Sequence, residues 1–197
     1  MKKTIDKNNH YINMAIIILA VFVLILIGFY LFHLKDDKPP VITNPAVVSN
    51  PLEAIITKNT LNGIVNNTAV VKDGIKEFNE KYINYLLNAI GTSNIHKSNI
   101  GYGNPRIEIL LDNEAWTSEL TSNGVITSKG EGDDIDLKVT LSKEEAVKAI
   151  LSSDSKQFMK DSISSKKTQF EMVAGKVELF SKGYLEMAKN LGYDLQI

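Results

Sequence analysis

From Met14 to Leu34 the chain reads MAIIILAVFVLILIGFYLFHL, twenty-one residues without a charge and with one strongly polar side chain, His33, at the far end. At ~1.5 Å rise per residue this is roughly 31 Å of helix, close to the ~30 Å hydrocarbon core of a bilayer. A secretory signal peptide carries an apolar region of only about 7–15 residues, followed by a small-residue cleavage site. Here the run is longer and closes on Gly28-Phe29-Tyr30-Leu31-Phe32, with no Ala-x-Ala step. The pattern predicts a retained signal-anchor helix over 14–34, preceded by a short N-terminal segment, 1–13.

The next stretch changes character. Four of the five prolines, Pro39, Pro40, Pro45 and Pro51, fall between 35 and 51. Proline fixes φ and lacks an amide donor, so this segment reads as an extended linker. From Leu52 to Val71 apolar pairs are separated by Asn, Thr and Gly, consistent with a short helix or two. Then Ile75, Phe78, Tyr82, Tyr85, Leu86, Ala89 and Ile90 recur at helical spacing, with Asp73 placed to cap and Gly91 to close.

Beyond Gly91 the period falls to two. Ile107–Leu111 and Ala115–Leu120 flank a turn at Asp112-Asn113-Glu114, and Asn123-Gly124 signals a second turn before Val125-Ile126-Thr127. Ile135–Leu141 alternates apolar and polar, as a half-buried antiparallel strand does. Ser142-Lys143-Glu144-Glu145 has the form of a capping box and opens a helix. Ser152-Ser153-Asp154 breaks that helix, and a second one carries Phe158, Met159 and Ile163. Thr168–Val173 and Lys176–Phe180 read as two further strands around Ala174-Gly175. A terminal helix presents Tyr184, Met187, Ala188 and Leu191 on one face. The order α-βββ-αα-ββ-α predicts an α+β domain over 52–197, with a mainly antiparallel five-stranded sheet covered by helices and preceded by one transmembrane helix.

Charge sets the expected orientation. Lys2, Lys3, Lys7 and the terminal amine precede the apolar run, whereas Lys35 and Lys38 follow it beside Asp36 and Asp37. The positive-inside rule places the N-terminus in the cytoplasm and the large domain outside, in a single pass of the cell membrane. Beyond residue 34 the chain holds 19 Lys plus Arg against 22 Asp plus Glu, about −3, with Arg106 its one arginine. Nucleic-acid binding needs a positive footprint, which this composition lacks.

Candidate chemistry is sparse. The chain has no cysteine, which excludes a disulfide framework, a thiol nucleophile and cysteine-ligated metals. Its three histidines, His10, His33 and His96, form no pattern with a nucleophile. No phosphate-binding glycine loop, nucleophile elbow or dinucleotide fingerprint occurs. The densest acidic run, Glu131-Gly132-Asp133-Asp134-Ile135-Asp136, lacks the alternate carboxylates of a calcium loop and reads as a solvated turn entering a strand. Composition and motifs thus predict neither an enzyme, nor a cofactor, nor a metal.

The C-terminal half resembles a known family. Asp136-Leu137-Lys138-Val139-Thr140-Leu141-Ser142 followed by a helix is similar to the aspartate-led strand and following helix of the sterol carrier protein domain. Gly175-Lys176-Val177-Glu178-Leu179 with the helix through Leu191 resembles that family's closing strand and terminal helix. The Ile107–Leu120 hairpin, with Trp116 on its second strand, resembles its opening strands. The resemblance implies an apolar tunnel between sheet and helices that binds a lipid or other apolar small molecule. The lining it implies is Phe158 and Ile163 on the covering helices, Phe170 and Met172 on the fourth strand, and Tyr184, Met187 and Leu191 on the closing helix. Ordinary core packing explains the same residues, and a filled core would leave a partner-binding or scaffolding domain of an envelope complex. The membrane tether and the stretch 52–71 depart from the family pattern.

Overall fold

The computed structural model describes residues 48–192 of the chain. The expected anchor helix at 14–34, the segment before it and linker residues 35–47 lie outside these. Among the described residues no helix is long and apolar enough to cross a membrane.

A short helix α1, Glu53–Lys58, leads into a two-stranded hairpin, β1 Thr60–Leu61 and β2 Ile64–Val65. Its turn residues Asn62 and Gly63 both have positive φ, 51° and 76°, the conformation that favours Asn-Gly in two-residue hairpin loops. Two helices follow, α2 Asn67–Lys76 and α3 Glu80–Ala89. The sequence pattern predicts one helix through this region, capped at Asp73. Instead Asn79 leaves the helical conformation and its side chain accepts from Lys81 N at 2.9 Å, restarting the helix, while Asn66 caps α2. Asp73 lies inside α2, where Asn59 first and Lys58 second hold its carboxyl below the usual carboxylate range.

The main sheet comprises β3 Arg106–Leu111, β4 Glu114–Thr121, β5 Gly124–Lys129, β6 Leu137–Leu141 and β7 Gln169–Met172. The spatial order is β5-β4-β3-β6-β7. The α+β class stands, but the sheet is mixed rather than mainly antiparallel. Its central pair, β3 and β6, is parallel with Ile109 opposite Val139, and the other three pairs are antiparallel. The cause is residues 130–136, which carry the chain from β5 back to the start of β3. There Thr117 Oγ1 donates to Gly130 O, Arg106 Nη1 to Asp133 O and Asp136 N to Arg106 O. The crossover between the parallel neighbours β3 and β6 is thus the whole of 112–136, the β4–β5 hairpin included, and a run that reads as hairpins gives no parallel signal in the sequence.

Between β6 and β7 come α4 Lys143–Leu151 and α5 Ser155–Ser164. Both predicted starts hold: Ser142 Oγ accepts from Glu145 N at 3.1 Å, and Asp154 Oδ1 accepts from Gln157 N at 2.9 Å. The strand expected at Lys176–Phe180 is a helix, α6 Lys176–Ser181, followed by α7 Tyr184–Asn190. A short apolar run fits either period, and tertiary partners decide here. Glu178 and Lys182 pair one helical turn apart, and Leu179 alone of Val177, Leu179 and Phe180 is buried. The observed order from β3 onward is therefore ββββ-αα-β-αα.

Alternate residues of the strands, among them Ile107, Ile109, Leu111, Leu137, Val139 and Leu141, form one buried layer of the core with the apolar faces of the helices. Helices α2 and α4 approach so closely that a Cβ at Gly74 would lie 2.9 Å from both Leu52 and Val147. The alternate face of the sheet is polar, with Lys138 of β6 bridging to Glu108 of β3 at 2.9 Å.

Candidate apolar binding site

The C-terminal third brings an apolar hollow together. Leu137 of β6 and Phe170 and Met172 of β7 form one wall, Ile163 of α5 and Leu179 of α6 two others. Tyr184, Met187, Ala188 and Leu191, on α7 and its end, complete it. Six of the seven residues implied by the family resemblance thus surround one space. The seventh, Phe158 of α5, is half-buried against the core but does not line it. Leu137, Leu179 and Ala188 join the lining although the resemblance does not imply them. Alternation along Ile135–Leu141 could have found Leu137, but Leu179 depends on α6 being a helix.

The hollow is nearly filled. Its volume is about 10 Å³, at the lower edge of what one water molecule needs. Of its lining, Tyr184, Met187 and Leu191 are buried with Leu137.

Beside the hollow lies a polar cluster that the sequence pattern does not announce. Asp136, expected in a solvated turn, is almost wholly buried. Its Oδ1 accepts from Lys182 Nζ at 2.6 Å, and its Oδ2 from Tyr184 Oη at 3.0 Å and Arg106 N at 2.8 Å. Its backbone carbonyl accepts from Val173 N and Ala174 N. Lys182 Nζ also donates to Glu178 Oε1 at 2.8 Å. One aspartate therefore joins the starts of β3 and β6, the chain after β7 and the α6–α7 junction. Burial, and then the negative charge of Asp136, push the Tyr184 hydroxyl well above its ordinary pKa. It is held as a proton donor to Asp136, so this arrangement provides no tyrosine base.

The junction is also fixed from the loop side. His96 N donates to Lys182 O at 3.0 Å, and the Ser98 and Ser181 hydroxyls lie 2.8 Å apart. Gly183 has φ +84°, and any side chain there would strike the Asn94 carbonyl. The imidazole of His96 is exposed, its Nδ1 3.0 Å from Lys97 O. Among the described residues no three His, Cys, Asp or Glu side chains gather as a metal site.

No family model matches the chain, and no curated protein matches it. Several solved structures superpose on part of the chain, among them the following three. A double mutant of the sec-alkyl sulfatase PisA1 superposes with a TM-score of 0.34 at 12% identity, over 62% of this chain and 17% of that one. The UbiJ-SCP2 ubiquinone synthesis protein gives 0.33 at 12% identity, over 64% of this chain and 93% of that one. The inverting sec-alkylsulfatase Pisa1 from Pseudomonas sp. gives 0.27 at 10% identity, over 49% of this chain and 14% of that one. The chain thus spans less than a fifth of either sulfatase. At these TM-scores no function follows from the likeness.

Proposed function

We propose that this chain is a membrane-anchored, non-enzymatic module that binds a lipid or other apolar small molecule outside the cytoplasmic membrane. One observation carries the reading: Ile163, Phe170, Met172, Tyr184, Met187 and Leu191, contributed by three separate elements and the end of α7, converge on one apolar hollow. Sites for apolar ligands are concave and mostly apolar, with few polar groups. Because the hollow is nearly filled, an acyl chain enters only if α6 and α7 part from β7. Anchoring through 14–34 rests on the uncharged, bilayer-length run and its flanking lysines.

A second reading draws on the same hollow's volume. At about 10 Å³ it holds no ligand as it stands, and a permanently filled core would make this a partner-binding or scaffolding domain of an envelope complex.

The two are separated on the full chain in lipid nanodiscs, using photoactivatable fatty-acid, sterol and phospholipid probes with mapping of the modified peptides. The lipid reading expects labelling of peptides holding Phe170–Met172 and Tyr184–Leu191. It also expects loss of that labelling in Phe170→Asp and its retention in Phe158→Asp. Labelling confined to 14–34 with all three probes would overturn it and leave the filled core.

A further inference from the structure

The β1–β2 hairpin carries apolar side chains that no described residue covers. Leu61 is 77% exposed and Ile64 75%. The two face each other across the ladder on either side of the Asn62-Gly63 turn. From Leu61 to Thr68 every residue is exposed, and from Asn59 to Val71 none is charged. The hairpin is nonetheless firmly held at its base. Thr60 Oγ1 donates to Ile56 O at 2.7 Å, Asn66 N to Asn59 O at 3.0 Å, and Asn66 Oδ1 accepts from Ala69 N to cap α2. It is an ordered projection with an apolar tip.

We propose that this tip inserts into the interfacial layer of a lipid bilayer, the same one that the anchor spans. The inference rests on the anchoring part of the function proposed above. Thirteen residues, 35–47, separate Leu34 from Val48, and fully extended they reach at most about 47 Å. Only residues 48–59, including the short helix α1, then lead to the hairpin. A domain on so short a leash meets the surface at high effective concentration, so a contact of two side chains suffices to hold it there. The absence of charge from 59 to 71 means that insertion buries no ion. Lys58, paired with Asp73 at 3.2 Å, and the exposed Lys72 bracket this uncharged stretch. Their ammonium groups remain at the level of the headgroups. The backbone polar groups of a turn keep the insertion shallow.

The chain contains no cysteine, so Ile64→Cys accepts a single nitroxide label without other changes. The full chain is reconstituted into phosphatidylcholine–phosphatidylglycerol vesicles and its flotation with them is checked. Collision of the label with oxygen and with a water-soluble nickel complex is then compared with that of a label at Ile126→Cys, a site on β5 that is also largely exposed. The proposal expects several-fold lower nickel accessibility at 64 than at 126, with oxygen accessibility raised. Equal, water-like accessibility at both sites in chains that float would overturn the insertion while leaving the anchor intact. Dipolar broadening between labels at 64 would overturn it in favour of a second copy of the chain. Failure to float would overturn the anchor and the insertion together.

Discussion

Lys182 Nζ lies 2.6 Å from Asp136 Oδ1, across forty-six residues of sequence, with both side chains almost wholly buried. Taking two charges out of water costs several kcal/mol per ion, which their attraction offsets only when the remaining polar atoms are also bonded. Here they are, through Tyr184, Arg106 N and Glu178. The pair is therefore more informative about what holds α6 and α7 in place than about net stability.

Breaking the pair from one side strands the other charge. Lys182→Met is expected to cost about 3–5 kcal/mol, read by denaturant unfolding with Trp116, the chain's single tryptophan, as the fluorescent probe. Adding Asp136→Asn to Lys182→Met should recover part of that loss, because the pair then goes together. A double variant as unstable as the two single effects summed would show that the residues are not coupled.

Gly183 is required by backbone conformation and by space at once. Gly183→Ala places a Cβ at φ +84° against the Asn94 carbonyl. The left-handed conformation alone costs about 1–2 kcal/mol for an L-residue. The expected unfolding midpoint falls by more than that alone would give, and faster amide exchange should concentrate at 94–98 and 181–184. An unchanged midpoint would mean that the junction between α6 and α7 relaxes freely.

Acid should act through Glu114. Lys129 and, next, Lys143 hold its carboxyl down from 4.5 to about 2, through contacts of 2.9 and 2.8 Å that join the starts of β4 and α4 to the end of β5. Because the folded pKa is lowered, this contribution is full above pH 4.5 and is lost as pH falls toward about 2. In Glu114→Gln the midpoint of thermal unfolding should decline less between those pH values than in the parent. Parallel profiles would remove Glu114 from the account.

Enlarging the hollow tests its walls. Met187 is buried in the lining, and Met→Ala in a core costs about 2–5 kcal/mol. Met187→Ala should lose that much and regain some of it in the presence of benzene, which the parent has no room to take. If benzene stabilises both chains equally, it binds elsewhere.

Much of the architecture was written in local pattern. The turns at Asp112-Asn113 and Ser122-Asn123, the cap at Ser142, the break at Asp154 and the alternation from Leu137 to Leu141 all depend on neighbours within a few residues. Not every misreading has a distant cause, since the second helix start at Asn79 and the hairpin at Asn62-Gly63 are set by neighbouring residues, but two others do. The parallel pairing of β3 with β6 comes from where residues 130–136 lead the chain, which alternation along either strand cannot encode. Val177–Phe180 is helical because Lys182 must reach Asp136 and Glu178, a constraint set forty-six residues away. Most of the hollow's lining was legible as apolar positions on three elements. Its small volume was not, because packing density is a property of side chains meeting in space.

Asp136 also dictates an order of events. The sheet strands β3 to β7 are complete by Met172, but the ammonium and hydroxyl that satisfy the carboxylate belong to residues 182 and 184. During synthesis residues 173–192 emerge after the strands. Until they dock, Leu137, Phe170 and Met172 lack their covering wall and the carboxylate keeps its water. The growing chain thus passes through a stage with an open apolar seam, and the α6–α7 segment acts as its stopper.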